Sequence, residues 1–285
     1  MKSFSNLVRP YIIWMSIFIV VPMLLIVLYA FTTQGNSVTT LQFTLANFAK
    51  FIDPLFLRVL GKSLYIAAVT TIICIFLGYP IAYYISLKSE RVQNLLVLLV
   101  TIPMWINMLV RTYAWISVLS DNGIINHILT FLGLPKVSLM YTDFAVILGM
   151  VYNFLPFMIL QIYTALAKMD SSVIQASYDL GANRKQTFMK VIFPLSLSGV
   201  ISGITLVFLP AVSTFVIPKL LGGGQYVLIG NLIETQFVTI GEWNFGSAIS
   251  LIMAMIILVS MYVARRFDRD VEESSRRRGE ANGRV

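Results

Sequence analysis

Two stretches of this chain carry polar side chains in places where their surroundings argue against them. Residues 103–113, PMWINMLVRTY, put Arg111 inside an otherwise apolar run. An arginine at the middle of a bilayer costs roughly 2.5–3.5 kcal/mol on insertion scales, so a partner or a wet cavity is expected around it. Trp105, Asn107, Arg111 and Tyr113 cannot all share one narrow helical face, but Asn107 and Arg111, four apart, can. Two readings follow for Arg111: it ties helix ends together, or it gates a path through the membrane. The second stretch, residues 170–194, DSSVIQASYDLGANRKQTFMKVIFP, is the most polar interior segment of the sequence. Ser172 and Gln175 have capping-box spacing, Asn183 and Gln186 repeat it, and Gly181 between them can stop a helix in a left-handed conformation. Val173, Ala176, Ser177 and Leu180 recur at helical spacing. The segment therefore reads as two short helices with a break, either a plain interfacial connector or a built joint. Neither stretch is a catalytic constellation. Cys74 is the single cysteine and lies in an apolar run, His127 is the single histidine and reads as a surface or loop residue, and no metal site is expected. No GxxxxGK[ST] sequence occurs, so no ATP site is expected on this chain.

The elements that must hold these residues are membrane helices. The chain is 58% hydrophobic and 12% charged, about half the charge of an ordinary soluble domain. A mean hydropathy of +0.82 agrees. Runs near the twenty residues needed to cross a bilayer occur at about 11–31, 63–86, 95–119, 143–167, 195–217 and 247–264. They contain Pro80, Pro103, Pro156 and Pro210, which membrane helices tolerate because neighbours satisfy the freed carbonyls. The first run is long for a signal peptide and lacks a small-residue cleavage site, so it reads as a retained helix. The expected architecture is an all-α integral membrane domain, residues 1–264, with six transmembrane helices. A charged tail, residues 265–285, reads as solvated and partly disordered.

Basic residues set the orientation. Lys2, Arg9, Lys88, Arg91, Lys168, Arg184, Lys185, Lys190 and the arginines of the tail fall on one side, which is then cytoplasmic together with both termini. Lys50, Arg58, Lys62, Lys136 and Lys219 are spread over longer loops on the other side. The formal net charge of +8 thus orients the chain against anionic lipid rather than marking a nucleic-acid site. Residues 218–246 are apolar and glycine-rich, which suits a re-entrant or packed outer segment. Within them Leu221-Gly222-Gly223-Gly224-Gln225 echoes the signature loop of ABC ATPases, but it lies on the outer side and has no companion P-loop, so it reads as a turn. Gly199 and Gly203 form a GxxxG beside Ser198 and Ser202, the spacing of a close helix-packing face or a chance occurrence in a small-residue span.

The polar stretch resembles the EAA motif of ABC importer permeases: EAA, three residues, glycine, nine residues, I-x-L-P. Here the positions are held by Gln175-Ala176-Ser177, Gly181 and Val191-Ile192-Phe193-Pro194, with Gln175 for Glu, Ser177 for Ala, Val191 for Ile and Phe193 for Leu. Residues 103–113 resemble the third-span motif of PotB-type spermidine/putrescine permeases. So do Leu209-Pro210-Ala211, Gly222-Gly223, Leu228-Ile229-Gly230-Asn231, Gln236-Phe237 and Phe245-Gly246.

The resemblance implies a type I importer (MetI-like) permease in a bacterial cytoplasmic membrane. It implies as partners a second permease (PotC-type), two ATPase subunits (PotA-type) that bind ATP and Mg, and an extracytoplasmic binding protein (PotD-type). No cofactor is expected on this chain, which would not itself be an enzyme. Gln175, Ala176, Ser177, Gly181, Ala182, Arg184, Lys185 and Pro194 would form the coupling joint, although Arg184 and Lys185 are equally explained by cytoplasmic charge. Polyamine transport would need aromatic faces and sparse carboxylates. The candidates are Trp105, Asn107, Tyr113, Tyr152 and Trp243, with Asp121, Asp143, Glu234 and Glu242 near the outside, although Trp and Tyr concentrate at membrane interfaces in any case. Arg111 fits a cation path poorly and is expected to pair with an acid or backbone carbonyls, or to act as an electrostatic barrier.

Overall fold

The computed structural model describes residues 2–33, 42–224 and 226–282; Gln225 and Arg284 lie outside them. Among the described residues there is no strand, and an isolated antiparallel bridge joins Thr32 to Phe43. The helices in chain order are α1 (Lys2–Ala30), α2 (Ala46–Phe51), α3 (Pro54–Ser86), α4 (Glu90–Trp105), α5 (Met108–Leu119), α6 (Ile124–Phe131) and α7 (Asp143–Ala167). Then follow α8 (Ser171–Asp179), α9 (Arg184–Thr187), α10 (Phe193–Leu195), α11 (Leu197–Ser213), α12 (Val216–Leu221), α13 (Ile229–Glu234) and α14 (Trp243–Asn282). A π-helical turn, Phe188–Ile192, joins α9 to α10, and a second, Thr235–Ile240, follows α13.

Four helices, in α1, α3, α7 and α14, are individually long and apolar enough to cross a bilayer, and two bent pairs raise the number to six. The first bent pair corrects the expected straight third span at 95–119: α4 and the segment Met108–Phe131 meet at 90°. Two residues cause the break. Pro103 has no N–H for the carbonyl of Leu99, and Ile106 and Asn107 turn extended, with the Asn107 side chain accepting the Leu109 N–H at 2.8 Å. Asn107 is therefore a helix cap, and the shared Asn107–Arg111 face does not form. The second bent pair, 54° between Arg184–Leu195 and α11, leads into the expected fifth span. That helix stops at Ser213 rather than near 217, because Pro210 frees the Leu206 carbonyl and Thr214 is extended. His127 sits exposed on the short helix α6 rather than in a loop. The tail, expected to be partly disordered, continues α14 as far as Asn282. Its sequence places Glu272 and Glu273 four residues before Arg276 and Arg277, a spacing that supports a helix.

The contacts divide the chain into two compact units, Met1–Gly61 with Ile229–Leu258, and Lys62–Leu228 with Val259–Val285. In the first, two asparagine amides close the carbonyl end of α1. Asn47 Nδ2 donates to Ala30 O at 3.1 Å and Thr32 O at 2.9 Å, and Asn244 Nδ2 donates to Tyr29 O at 3.0 Å and Thr32 O at 2.8 Å. Phe56 meets Phe245 edge-on at 5.0 Å.

In the second unit, α7 lies tightly against α11, and glycine makes this possible. A Cβ on Gly199 would sit 2.6 Å from Ala165 Cβ and 2.8 Å from the Gln161 carbonyl; one on Gly203 would sit 2.5 Å from Met158 Sδ. The GxxxG is thus a packing face. The apolar outer segment is packed too: Ile217 and Leu221 of α12 are fully buried, and a Cβ on Gly149 of α7 would collide with Leu221.

Candidate functional site

The 170–194 segment is a rigid two-helix joint. Asp170, in extended conformation, accepts the Ser172 N–H at 2.9 Å and caps α8; this hydrogen bond holds its carboxyl below the ordinary aspartate range. The cap is thus Asp170, two residues before the expected Ser172–Gln175 box, and Gln175 is exposed. At the other end Gly181 N donates to Tyr178 O at 2.9 Å and Ala182 N to Ser177 O at 3.0 Å, with Gly181 at φ +82°. This pair of bonds is a Schellman stop, which the glycine backbone adopts without a Cβ penalty. Asn183 and Gln186 then exchange two hydrogen bonds of 2.9 Å, the expected capping box.

Several contacts fix the joint internally and to its base. Ser177 Oγ donates to Ile174 O at 2.7 Å, so the 3.0 Å bond to buried Thr187 is donated by the threonine hydroxyl. Below, Phe188 packs edge-on against Tyr79 and Tyr83 of α3 at 5.9 and 5.1 Å, and the Tyr79 hydroxyl meets Ser196 Oγ at 2.8 Å. Pro194, half-buried, follows the π turn, which accommodates its missing N–H. Gln93 clamps the end of α3, donating to Ser86 O and Lys88 O at 3.1 and 2.8 Å while accepting from the Tyr163 hydroxyl at 2.9 Å. Sequence reasoning missed Thr187, Tyr79, Ser196 and Gln93, because nothing local links them. Outwardly the joint is open: Val173, Ala176 and Leu180 share an exposed face, with Leu180 89% exposed, and Arg184 and Lys185 are exposed beside it.

The third-span residues separate. Trp105 is 81% exposed and Tyr113 is also exposed, so neither is enclosed by this chain. Tyr152 packs edge-on against Trp115 at 5.4 Å. Arg111 Nε and Nη1 are buried without a hydrogen-bond partner among the described residues, against the expected acid or carbonyl pairing. The bend explains why. It begins α5 at Met108, so Arg111 lies in a first turn whose free backbone groups are N–H donors and whose dipole is positive.

Two of the candidate carboxylates, Asp143 and Glu242, each hold a lysine. In the second unit Lys62 Nζ lies 3.1 Å from Asp143 Oδ1 and 4.1 Å from the centre of the Tyr226 ring. Burial, and after it the Asp143 carboxylate, pushes the Tyr226 phenol above its ordinary range. In the first unit Lys50 Nζ lies 3.8 Å from Glu242 and 5.6 Å from the Phe245 ring centre. Trp243 stacks obliquely on Tyr29 at 6.4 Å and edge-on with Phe237 at 5.6 Å, and half-buried Glu234 ends α13. Of the path candidates, Asp143 thus belongs to a lysine–aromatic set in the second unit and Glu242 to one in the first, and the others stand apart from these sets. Lys50, Lys62, Tyr226 and Phe245 were missed; the signal available was two lysines placed against the prevailing charge asymmetry. Among the described residues no group of three His, Cys, Asp or Glu converges to hold a metal.

Comparison with known proteins agrees with this architecture. Residues 74–273 match the family described as "Binding-protein-dependent transport system inner membrane component". The spermidine/putrescine transport system permease protein PotB of Salmonella typhimurium (strain SL1344) is 37% identical over 282 residues, covering 96% of this chain and 98% of its own length. A permease-containing crystal structure of a bacterial alginate ABC transporter, in complex with an alginate pentasaccharide-bound periplasmic protein, superposes with a TM-score of 0.79 at 16% identity, covering 95% of both chains. The MetNI methionine ABC transporter in an inward-facing conformation gives 0.59 at 17% identity, covering 77% of this chain and 98% of that one. These two share the fold. With the family match spanning most of the chain and a PotB relative spanning nearly all of it, the chain belongs to the inner membrane components of binding-protein-dependent transport systems, as an ABC importer permease of the PotB type.

Proposed function

We propose that this chain forms half of the translocation path of an ATP-driven polyamine importer and takes its energy from a separate ATPase through the 170–194 joint. The observation that carries this reading is the asymmetry of the joint. Its inner side is fixed by Ser177–Thr187, Asn183–Gln186 and Tyr79–Ser196, while its outer side leaves Val173, Ala176 and Leu180 bare. A connector between two spans needs neither feature; a lever that inserts into a partner's groove needs both. Both termini and the joint lie on the cytoplasmic side, as the lysine and arginine asymmetry requires.

The polyamine substrate is supported by the PotB relatives and by the paired aromatic and carboxylate groups at Asp143–Tyr226 and Glu242–Phe245. The exposed Trp105 and Tyr113 would line the path against a second permease of PotC type. Two PotA-type ATPases binding ATP and Mg and a PotD-type extracytoplasmic binding protein complete the assembly. Radiolabelled spermidine uptake in cells lacking the gene, restored by this chain and competed by unlabelled putrescine, tests the substrate. Restored uptake of an unrelated solute, with spermidine inert, would replace polyamines in this reading.

A further inference from the structure

The ammonium of Lys62 is itself a primary amine on a methylene chain, chemically one end of a polyamine. Carried on α3, it is met by two separate parts of the second unit: Asp143 from the start of α7 and Tyr226 from the loop after α12. Ring contact alone would mean little. Lys88 also lies over a ring, that of Tyr84 at 4.2 Å, but those residues are four apart on one stretch of chain. At Lys62 a carboxylate at 3.1 Å and a ring centre at 4.1 Å close on one nitrogen from distant segments. The Lys50, Glu242 and Phe245 set is a looser version, at 3.8 and 5.6 Å.

Beside the Tyr226 ring opens a cavity of about 640 Å³ with Tyr141, Gly222, Gly223 and Lys219 on its walls. The Tyr141 ring lies so near the Gly223 backbone that a Cβ there would come within 2.7 Å of it. The cavity thus has two tyrosine side chains on its walls, against which a methylene chain can lie. The Lys62 and Asp143 side chains remain about half exposed, at 44% and 52%, so exchange of the ammonium needs no unfolding.

We propose that Lys62 is a tethered stand-in for substrate: its ammonium fills an alkylammonium site made by Asp143 and Tyr226, and an ammonium of the arriving polyamine displaces it. The inference rests on the polyamine reading and adds to it a named site and an internal competitor. A tether supplies a millimolar effective concentration of the competing group, which weakens substrate binding and speeds release. It also keeps the Asp143 charge compensated while the path is empty.

The test is equilibrium binding of radiolabelled spermidine to the assembled transporter in lipid nanodiscs, without the binding protein. Lys62→Met is expected to bind spermidine about ten-fold more tightly than the unmodified complex. Lys62→Arg should stay near the unmodified affinity, and Asp143→Asn should remove the gain when combined with Lys62→Met. Unchanged or weaker binding by Lys62→Met, in a complex that takes up spermidine, overturns the proposal. If that variant does not assemble, the rate at which Lys62 is acylated in the unmodified complex decides. Spermidine should raise it by freeing the amine, and an unchanged or lowered rate overturns the proposal. An unmodified complex that neither binds nor transports spermidine removes the polyamine reading itself, and this inference with it.

Discussion

Single side chains decide how stiff the joint is. Ser177, a departure from the alanine of the EAA pattern, receives the Thr187 hydroxyl and so ties α8 to α9. Ser177→Ala should cost about 1 kcal/mol, because fully buried Thr187 loses its acceptor. A double-mutant cycle with Thr187→Val, followed by thermal unfolding, should return a coupling of about that size. Asp170 adds a pH dependence. Its native carboxyl titrates below the ordinary value because the ionised form accepts the Ser172 N–H. The cap is therefore at full strength above the ordinary aspartate range and is lost as pH falls through the lowered native value. Protection of the Ser172 amide, its exchange rate compared with that of an unstructured chain at the same pH, should fall across that acidic window and stay flat across it in Asp170→Asn. Gly181 and the Asn183–Gln186 box were legible in the sequence because both obey local backbone rules. The α8 cap was not, since Asp170, Ser171 and Ser172 all have capping side chains and the backbone at Asp170 chooses among them. The Lys62–Asp143–Tyr226 set was illegible for a different reason: only folding brings its members together.

At the scale of elements, hydropathy located the membrane runs but not their breaks. Proline alone does not predict a break: Pro80 and Pro156 sit inside the continuous helices α3 and α7, while Pro103, followed by an asparagine cap, ends α4. The 90° bend thus depends on Asn107 as well as Pro103. The α7–α11 contact offers a graded comparison. A Cβ at Gly203 meets the flexible end of Met158, which can move aside, whereas one at Gly199 meets the Gln161 carbonyl and Ala165, which cannot. Gly199→Ala should therefore destabilise the protein by about 1–3 kcal/mol and Gly203→Ala by clearly less. Thermal melts of the two purified variants in one detergent will rank them; the reverse order would mean that this helix pair packs differently.

For the whole molecule, the charge asymmetry and the apolar runs already described a multi-pass membrane component. The structure adds which of its described surfaces are left bare. In the candidate span of α1 residues 8–25 are exposed, Trp105 and Tyr113 are exposed, and the apolar face of the joint is bare. The central claim is that this joint transmits the work of ATP hydrolysis to the membrane helices. Gly181 is the position to probe, because its φ of +82° lies in open space, so a substitution strains the backbone and alters the docking surface without touching the membrane core. The measurement is ATP-dependent spermidine uptake into proteoliposomes holding the complete transporter with Gly181→Asp. Uptake should be abolished and ATPase docking lost while the permease still inserts. Normal ATP-dependent uptake by that variant would contradict the account.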